Sequence, residues 1–176
     1  MNTSFFKCGK NSLISNWSLY QSENLQLGDN VRIDPFSYIT GKVKIGNYVH
    51  IPPFTVLSGG DKGIEIGNCV TISPGVKIFT VSADYKNGLT NPTIPQSFRK
   101  SIRGSIHIDD FVCLFANTIV LPQTWLRQGS VFLANSVITR GIYGSWSIFH
   151  GTPAKFKRVR DSKPILSAYE KLKATS

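Results

Sequence analysis

The chain has 176 residues, 41% of them hydrophobic and 17% charged, which is enough to build one folded domain with a substantial core. Its formal net charge of +10 and pI near 9.7 favour phosphorylated or otherwise anionic partners. No apolar run approaches the ~20 residues of a membrane helix, and the three scattered cysteines form neither a metal-binding spacing nor a disulfide framework.

The N-terminal segment, MNTSFFKCGKNS, lacks the long apolar core of a signal peptide, so we expect a cytoplasmic protein. A six-residue hydrophobic period then begins, weakly at Cys8, Ile14 and Tyr20. Its large residues are Leu27, Ile33, Ile39, Ile45, Ile51, Leu57, Ile66, Ile72, Ile78, Ile108, Leu114, Val120, Leu126, Phe132 and Ile138. Four residues after each of most of them stands a small or β-branched residue, namely Val31, Ser37, Val43, Val49, Thr55, Val70, Val76, Ser82, Val112, Thr118, Thr124, Ser130, Ser136 and Ile142.

A period of six matches neither an α-helix nor a simple alternating strand. It indicates a short strand and a turn in each hexad, with three hexads making a triangular coil. Both series of residues are predicted to point inward, and Gly, Asn and Asp are predicted to occupy the corners. Because one coil cannot bury its own inner face, the coils must stack. The sequence therefore predicts an all-β solenoid, a parallel β-helix of hexapeptide coils.

The period stops after Ile78 and resumes at Ile108. The intervening segment contains DYKNGLTNPTIPQSFRKSIRGS, rich in Gly, Asn, Pro and basic residues, and we predict a loop over about 84–107. Long loops in a tight solenoid are usually functional.

After the last hexads comes the basic run AKFKRVR, which lacks the zinc-finger, helix-turn-helix or aromatic motifs of nucleic-acid binding and favours a local phosphate site instead. The C-terminal stretch has Ile165, Leu166, Tyr169 and Leu172 at helical spacing, with Pro164 suited to a helix start. We predict a β-helix domain over 1–162 and a helical cap over 163–176, closing the open end of the prism.

The stretches IGNYVHI, IGNCVTISPGVKI, FANTIVLP and ANSVITRGI, with HGTPAK after them, resemble the hexapeptide-repeat acyltransferases. Within that family, the sequence is most similar to bacterial nucleotide-amino-sugar N-acyltransferases and galactoside-type O-acetyltransferases. The resemblance implies a left-handed β-helix and a homotrimer with active sites between its subunits. It also implies acetyl-CoA or another acyl-CoA as co-substrate, without a metal.

Positions that match the family's CoA segments provide the candidate donor site. The resemblance places the phosphates and adenine near Thr139, Arg140, Lys155 and Arg158, and the pantetheine arm along Ala116 and Ala134. A basic tail that is merely solvated is the alternative. Phe115 and Trp125 depart from the family pattern, which leaves the acyl group open.

At the start of the loop stand Ser82, Ala83, Asp84 and Tyr85. Many members of the family carry a histidine base where this chain has Ala83. The enzyme is then inactive, or another histidine substitutes, or the acceptor needs no such base. The subset that acylates nucleotide-linked amino sugars resembles this chain in having an acidic corner. A neutral amine attacks a thioester more readily than a hydroxyl does, so Ala83 favours N-acylation, with Asp84 as the leading catalytic candidate.

Further catalytic candidates are Glu65 and His50, for which a solvated charge and an exposed corner are the alternatives. Ser82 is interpreted as a packing residue, and Ser-His-Asp chemistry has no support. The alternative to a catalytic role for Asp84 is that its side chain caps the turn that follows it. The acceptor candidates are Tyr85, Asn91, Arg99 and Lys100.

The predicted function is CoA-dependent acylation, most simply acetylation, of the amino group of a nucleotide-linked deoxy amino sugar used for a surface polysaccharide such as an O-antigen. Sugar O-acetylation and a non-catalytic β-helix binding protein remain alternatives. A carbonic anhydrase of this fold needs a histidine cluster around zinc, whereas His50, His107 and His150 are far apart in the sequence. No nucleic-acid partner and no membrane span are expected.

Overall fold

The structure, a computed structural model, describes residues 7–175 apart from the side chains of residues 22 and 23. Residues 1–6 of the predicted β-helix domain and residue 176 of the predicted cap lie outside the described part. Short strands, nearly all of them paired in parallel, wind around an apolar core. The β-helix predicted from the six-residue period is confirmed.

Each hexad contributes only a few extended residues before its corner, so most strands are short. In chain order they are β1 (Leu13–Ile14), β2 (Leu19–Leu27), β3 (Arg32–Ile33), β4 (Tyr38–Ile45), β5 (His50–Ile51), β6 (Val56–Ser58), β7 (Ile64–Ile66), β8 (Thr71–Ile72), β9 (Lys77–Phe79), β10 (Val81–Ala83), β11 (Ser101–Arg103), β12 (Ile106–Ile108), β13 (Cys113–Leu114), β14 (Ile119–Val120), β15 (Thr124–Leu126), β16 (Val131–Phe132), β17 (Val137–Ile138), β18 (Gly141–Tyr143), β19 (Ser147–His150) and β20 (Lys155–Val159). A 3-10 turn covers Gln96–Phe98, and helix α1 covers Lys163–Thr175.

The triangular cross-section follows from the strand pairing. Strand β4 passes around a corner, because its residues Tyr38–Thr40 pair with β6 whereas Val43–Ile45 pair with β7. One sheet therefore covers two faces of the prism. Face B contains β6, β9, β14 and β17, and face C contains β7, β12, β15 and β18. Face A is the separate sheet β1-β3-β5-β8-β13-β16-β19-β20.

The core is formed by the two series of hexad residues. Every large residue of the predicted series from Leu27 to Ile138 is buried. The smaller series is buried except at Ser82 and Ile142, where the prediction is wrong. Ser82 lies on β10, which has already left the prism. Ile142 points outward because the chain is one residue shorter here than the six-residue period predicts. Tyr143, rather than residue 144, therefore pairs with Leu126 and points inward.

The corner between faces A and C is held by a ladder of carboxylate and amide side chains. The backbone N–H of Lys10 donates to Asp29 Oδ1 at 2.6 Å, and that of Asp29 donates to Asn47 Oδ1 at 2.8 Å. Asn47 N–H donates to Asn68 Oδ1 at 2.8 Å, and Asn68 N–H to Asp110 Oδ1 at 2.6 Å. Each side chain thus satisfies a backbone donor of the preceding coil, which explains the predicted Asn and Asp at corners.

The corner between faces A and B departs from that prediction. Phe36 and Phe54 occupy left-handed backbone conformations there, with φ of 63° and 62°, although bulky residues rarely adopt them. Their rings stack with centroids 5.8 Å apart. The predicted preference for Gly, Asn and Asp therefore does not extend to every corner.

The excursion, defined as residues 81–105, leaves the prism after Thr80, whose buried hydroxyl donates to the carbonyl of Ser58 at 2.9 Å. Strands β10 and β11 pair antiparallel, so the chain returns beside its exit. An ion pair of 3.1 Å between Arg103 and Asp61 ties the returning strand to the loop between β6 and β7. The last two residues of the predicted loop, Ile106 and His107, instead belong to β12.

The sequence predicted a C-terminal helix that closes the open end of the prism. Helix α1 instead packs against the side of the prism. Tyr169 packs edge-on against Phe111 with ring centroids 4.9 Å apart, and Leu172 lines a groove with Asn11 and Asn30. The helix thus lies along the corner between faces A and C and runs back towards the first coils. Among the described residues, no helix has the length and apolar character needed to cross a bilayer.

The turn into this helix is held by Arg160. Its Nη1 donates to the carbonyls of Phe111 and Gly129, both at 2.9 Å, and its guanidinium lies 5.7 Å from the ring centroid of Trp146. These contacts bring the C-terminal segment back against the corner. Arg160 therefore has a structural role, although it belongs to the basic run in which the sequence predicted a phosphate site.

Candidate functional site

Asp84 forms the turn at the outer end of β10. Its Oδ2 accepts a hydrogen bond of 2.7 Å from Asn87 Nδ2, and its Oδ1 accepts one of 3.2 Å from the backbone N–H of Lys86. The backbone N–H of Asp84 donates to the carbonyl of Lys100 at 3.0 Å. The Asn87 side chain, together with the backbone donors of the turn, holds the pKa of Asp84 below its ordinary value. Asp84 is thus an anion that also caps its turn.

The acceptor candidates lie along the same excursion. Tyr85 is largely exposed, and the side-chain oxygen of Asn91 accepts hydrogen bonds from Thr93, which makes a second tight turn. Arg99 is half-buried, and its buried Nε has no hydrogen-bond partner among the described residues. The structure therefore brings Asp84 and Lys100 together, whereas no contact links the turn at Asn91 to Asp84 among the described residues.

Glu65 lies on face C, away from the Asp84 turn, and its partner is His107. The pairing of β7 with β12 places the two residues side by side, with Glu65 Oε2 and His107 Nδ1 3.2 Å apart. His107 Nε2 lies 3.0 Å from the hydroxyl of Ser105 at the foot of the excursion. The ring of Trp125 follows on the next strand, 5.7 Å from that of His107. Glu65, His107 and Trp125 line an open groove of about 740 Å³ that also includes Lys44.

His50 lies on face A and is brought near neither Asp84 nor Glu65. Its Nε2 is 2.6 Å from Asp34 Oδ2, and Arg32 Nε is 2.9 Å from Asp34 Oδ1. Burial raises the pKa of Asp34, but the hydrogen bonds from His50 and Arg32 outweigh it and leave that pKa below its ordinary value. His50 thus belongs to a separate ion-pair cluster.

The donor-site candidates divide among three places. Ala116 and Ala134 stack on the corner between faces A and B, where Asn135 N–H donates to the carbonyl of Ala116 at 2.9 Å. Lys155 and Arg158 are exposed on β20, which pairs antiparallel with β19. Strand β17 separates Ala134 from the remaining two, Thr139 and Arg140.

Thr139 and Arg140 share their corner, between faces B and C, with the foot of the excursion. Gln123 lies between the excursion and the segment that follows Arg140. Its side chain donates to the carbonyl of Arg103 at 3.0 Å, and its backbone carbonyl accepts from Gly141 N–H at 3.1 Å. The corner therefore connects the excursion to one part of the predicted donor site within a single subunit.

The sequence made Glu65 a catalytic candidate but did not predict its pairing with His107, and it gave no role to Ser105. The signal available was the stretch IHI, in which a polar residue between two buried isoleucines must face outward. Among the residues that the structure describes, no group of three His, Cys, Asp or Glu side chains is placed to hold a metal ion.

Comparisons with known proteins extend these observations. The family described as "Bacterial transferase hexapeptide (six repeats)" matches residues 24–59. A dTDP-4-amino-4,6-dideoxy-D-glucose acyltransferase from Escherichia coli is 31% identical over 156 residues, which cover 86% of this chain and 80% of that protein.

Two solved structures match nearly the whole fold. The N-acyltransferase AntD from Bacillus cereus, in complex with dTDP and 3-hydroxybutyryl-CoA, superposes with a TM-score of 0.89 and 32% identity, covering 95% of this chain and 89% of AntD. An AntD variant in which a serine is replaced by alanine, in complex with dTDP-4-amino-4,6-dideoxyglucose and coenzyme A, superposes with a TM-score of 0.90 and 31% identity. The match covers 96% of this chain and 91% of that one.

Proposed function

Because this chain belongs to the hexapeptide-repeat transferase family, we propose that it transfers an acyl group from acyl-CoA to the amino group of a nucleotide-linked amino sugar. The observation that carries the proposal is the likeness to AntD over 95% of this chain. The part left unmatched is smaller than the excursion, so the likeness reaches into the segment that carries Asp84.

The chemistry of an amine acceptor suits the corner at Ala83. An amino group bound as ammonium needs an anion to hold it, and the hydrogen bonds of Asp84 keep that carboxylate ionised. Attack of the neutral amine on the thioester carbon forms the amide and releases the CoA thiol. We assign Asp84 to holding the amino group of the acceptor for this attack.

The nucleotide diphosphate needs cations and N–H donors beside this anion. Lys100 adjoins the Asp84 turn through its backbone, and Arg99 is the neighbouring cation in the chain, so we assign the phosphates to these two side chains. Tyr85 and Asn91 remain the candidates for contacts with the sugar or the base.

The same proposal assigns the CoA phosphates to Lys155 and Arg158 on β20 and to Arg140 on the corner between faces B and C. Ala116 and Ala134 leave room beside their corner for the pantetheine arm. These positions are spread around one prism, which is consistent with a binding cleft completed by a neighbouring subunit.

We further propose the homotrimer implied by the family. Trp17, Phe36 and Phe54 are exposed and lie in successive coils at one corner, and Leu19 and Tyr38 are exposed neighbours on the adjoining face. Such a continuous apolar strip is typical of a surface buried by another copy of the chain. Light scattering should give three times the 19.5 kDa mass of the chain.

A thiol-release assay tests the function. Acetyl-CoA and 3-hydroxybutyryl-CoA should each be offered with dTDP-4-amino-4,6-dideoxyglucose, with a GDP-linked amino sugar, and with a dTDP-sugar that has a hydroxyl in place of the amine. We expect release with an amino sugar and much less with the hydroxyl analogue. Absence of release with every pair would refute the enzyme, and preference for the hydroxyl analogue would support O-acylation.

Some finer predictions rest on the sequence and its resemblance. The acetyl group as natural donor, use of the product in a surface polysaccharide such as an O-antigen, and a cytoplasmic location stay predictions. The acyl group is decided by the ratio of kcat/KM for the two thioesters in the same assay.

A further inference from the structure

The side chain of Asn87 contacts the carboxylate of Asp84 directly, with Nδ2 donating to Oδ2 at 2.7 Å. An ionised carboxylate can only accept hydrogen bonds, so the amide nitrogen of Asn87, rather than its amide oxygen, must face it. The contact is thus a hydrogen bond between a neutral donor and an anion, which is shorter and stronger than a bond between two neutral groups.

The carboxylate of Asp84 is held at both of its oxygens. While Oδ2 accepts from Asn87, Oδ1 accepts from the backbone N–H of Lys86 at 3.2 Å. The backbone of Asp84 is fixed as well, because its N–H donates to the carbonyl of Lys100 at 3.0 Å. The carboxylate therefore cannot turn about its side-chain bonds without breaking a hydrogen bond.

These contacts leave part of the carboxylate available to a ligand. The two oxygens of an ionised carboxylate offer about four lone-pair positions, and the turn uses one on each oxygen. One position on each oxygen remains, and Asp84 is half-buried rather than enclosed. An ammonium group carries three N–H donors and can use both positions, whereas a hydroxyl has one donor and no charge.

The charge of Asp84 alone favours an ammonium only weakly, because the excursion has cations of its own. Lys86 follows in the same turn and acts on the carboxylate through its charge, and Arg99 and Lys100 belong to the segment opposite. A bound ammonium competes with these side chains. A carboxylate held in one orientation offers the ammonium hydrogen bonds of fixed direction, which long, mobile side chains lose entropy to match.

We propose that Asn87 is a positioning residue for the acceptor. It fixes the carboxylate of Asp84 so that the remaining lone-pair positions receive the acceptor's amino group as an ammonium, and it thereby contributes to the preference for an amine over a hydroxyl. This inference rests on the proposed function. Asn87 acts through Asp84 and takes no part in forming or breaking a bond.

The first test compares Asn87→Ala with the control Gln96→Ala, which removes an exposed amide side chain from the 3-10 turn of the same excursion. With saturating acyl-CoA, Asn87→Ala should raise the KM for the amino sugar about 5- to 10-fold, towards the low end for a hydrogen bond to a charged group because the turn is open to solvent. Since ground state and transition state lose the same interaction, kcat should stay within about twofold.

The dTDP-sugar with a hydroxyl in place of the amine, used as a competitive inhibitor, separates positioning from a loss of shape. It carries no ammonium, so Asn87→Ala should leave its Ki within about twofold of the wild-type value. Gln96→Ala should change neither the KM nor the Ki. A rise in Ki equal to the rise in KM would mean that Asn87 shapes the whole acceptor site, and it would overturn the proposed role.

Asn87→Asp provides a second readout, because it keeps the size and the turn-forming character of the side chain. The variant places a second carboxylate against Asp84, and two carboxylates that share a site raise the pKa of one of them. Since an ammonium is held only by an ionised Asp84, kcat/KM for the amino sugar should begin to fall at a higher pH than in the wild type as the solution is acidified.

The outcomes for Asn87 and for the enzyme are distinguishable. If the wild type acylates the amino sugar but Asn87→Ala keeps its KM and Asn87→Asp keeps its pH profile, the positioning role is wrong and the proposed function stands. If the wild type releases no thiol with any amino sugar, the proposed function and the role of Asn87 are both refuted.

Discussion

The carboxylate of Asp84 accepts a 2.7 Å hydrogen bond from the side chain of Asn87, and this contact closes the turn at the outer end of β10. The hydrogen bond favours the ionised carboxylate and lowers its pKa. Asp84 therefore caps the turn that follows it, and its ionised carboxylate is compatible with the proposed role of holding an ammonium. Ala83, next to it, needs no proton-transferring side chain under this arrangement.

Replacement of Asp84 by Asn should weaken acceptor binding more than donor binding. The amide keeps an oxygen for the turn but loses the charge that holds an ammonium, so we expect kcat/KM for the amino sugar to fall about 10- to 100-fold. The KM for acyl-CoA should be little changed. Steady-state kinetics with each substrate varied in turn measures both values. Asp161→Asn is the matched control, because Asp161 caps the start of the helical segment instead. Equal kinetics in Asp84→Asn and wild type would disprove the role of Asp84.

The Asp84 turn should loosen in acid. Since its pKa is lower in the folded protein than in the unfolded chain, its contribution to stability is present above the ordinary aspartate pKa. That contribution is lost as the pH falls through the lowered value. The amide chemical shifts of Lys86 and Asn87 should report this midpoint, and Asn87→Ala should move it upward. An unchanged midpoint in Asn87→Ala would show that the Asn87 side chain is not the main cause of the shift.

The fold was largely predictable because the inward residues repeat with a constant period. The prediction failed at Ile142, where the chain turns its corner with one residue fewer and the next inward place falls on Tyr143. Tyr143 there packs against Phe132 and Phe149. A hexad pattern cannot reveal such a shift, because several aliphatic and aromatic residues follow one another near the last coil.

Alanine substitutions at Ile138 and Ile142 should change the free energy of unfolding by very different amounts, because only Ile138 is buried. Ile138→Ala removes a fully buried side chain and should reduce the free energy of unfolding by about 2–5 kcal/mol. Ile142 is 70% exposed, and its substitution should cost about 0.5 kcal/mol or less. Denaturant titration of both variants provides the comparison. Similar losses in the two would mean that Ile142 is buried, as the simple period predicts.

The contacts between the candidate site residues were harder to predict from the sequence than the fold was. Glu65 and His107 are separated by 42 residues, and they meet only because the excursion returns the chain to the same face in register. The placement of α1 depends likewise on Arg160, whose carbonyl partners are 31 and 49 residues away. Neither the length of a loop nor a run of basic residues predicts which strands or carbonyls will be its neighbours.

Alanine substitutions in the basic run at residues 154–160 should have two different effects, on acyl-CoA binding and on stability. Lys155 and Arg158 are exposed, so their alanine variants should each raise the KM for acyl-CoA about 10-fold, and less at high salt, while stability is preserved. Arg160→Ala loses hydrogen bonds to Phe111 and Gly129 and should lower the free energy of unfolding by about 1.5–3 kcal/mol, with the KM unchanged. Lys157→Ala, from the same run, is the control for both measurements. A KM effect of Arg160→Ala alone would place the CoA phosphates at the corner rather than on β20.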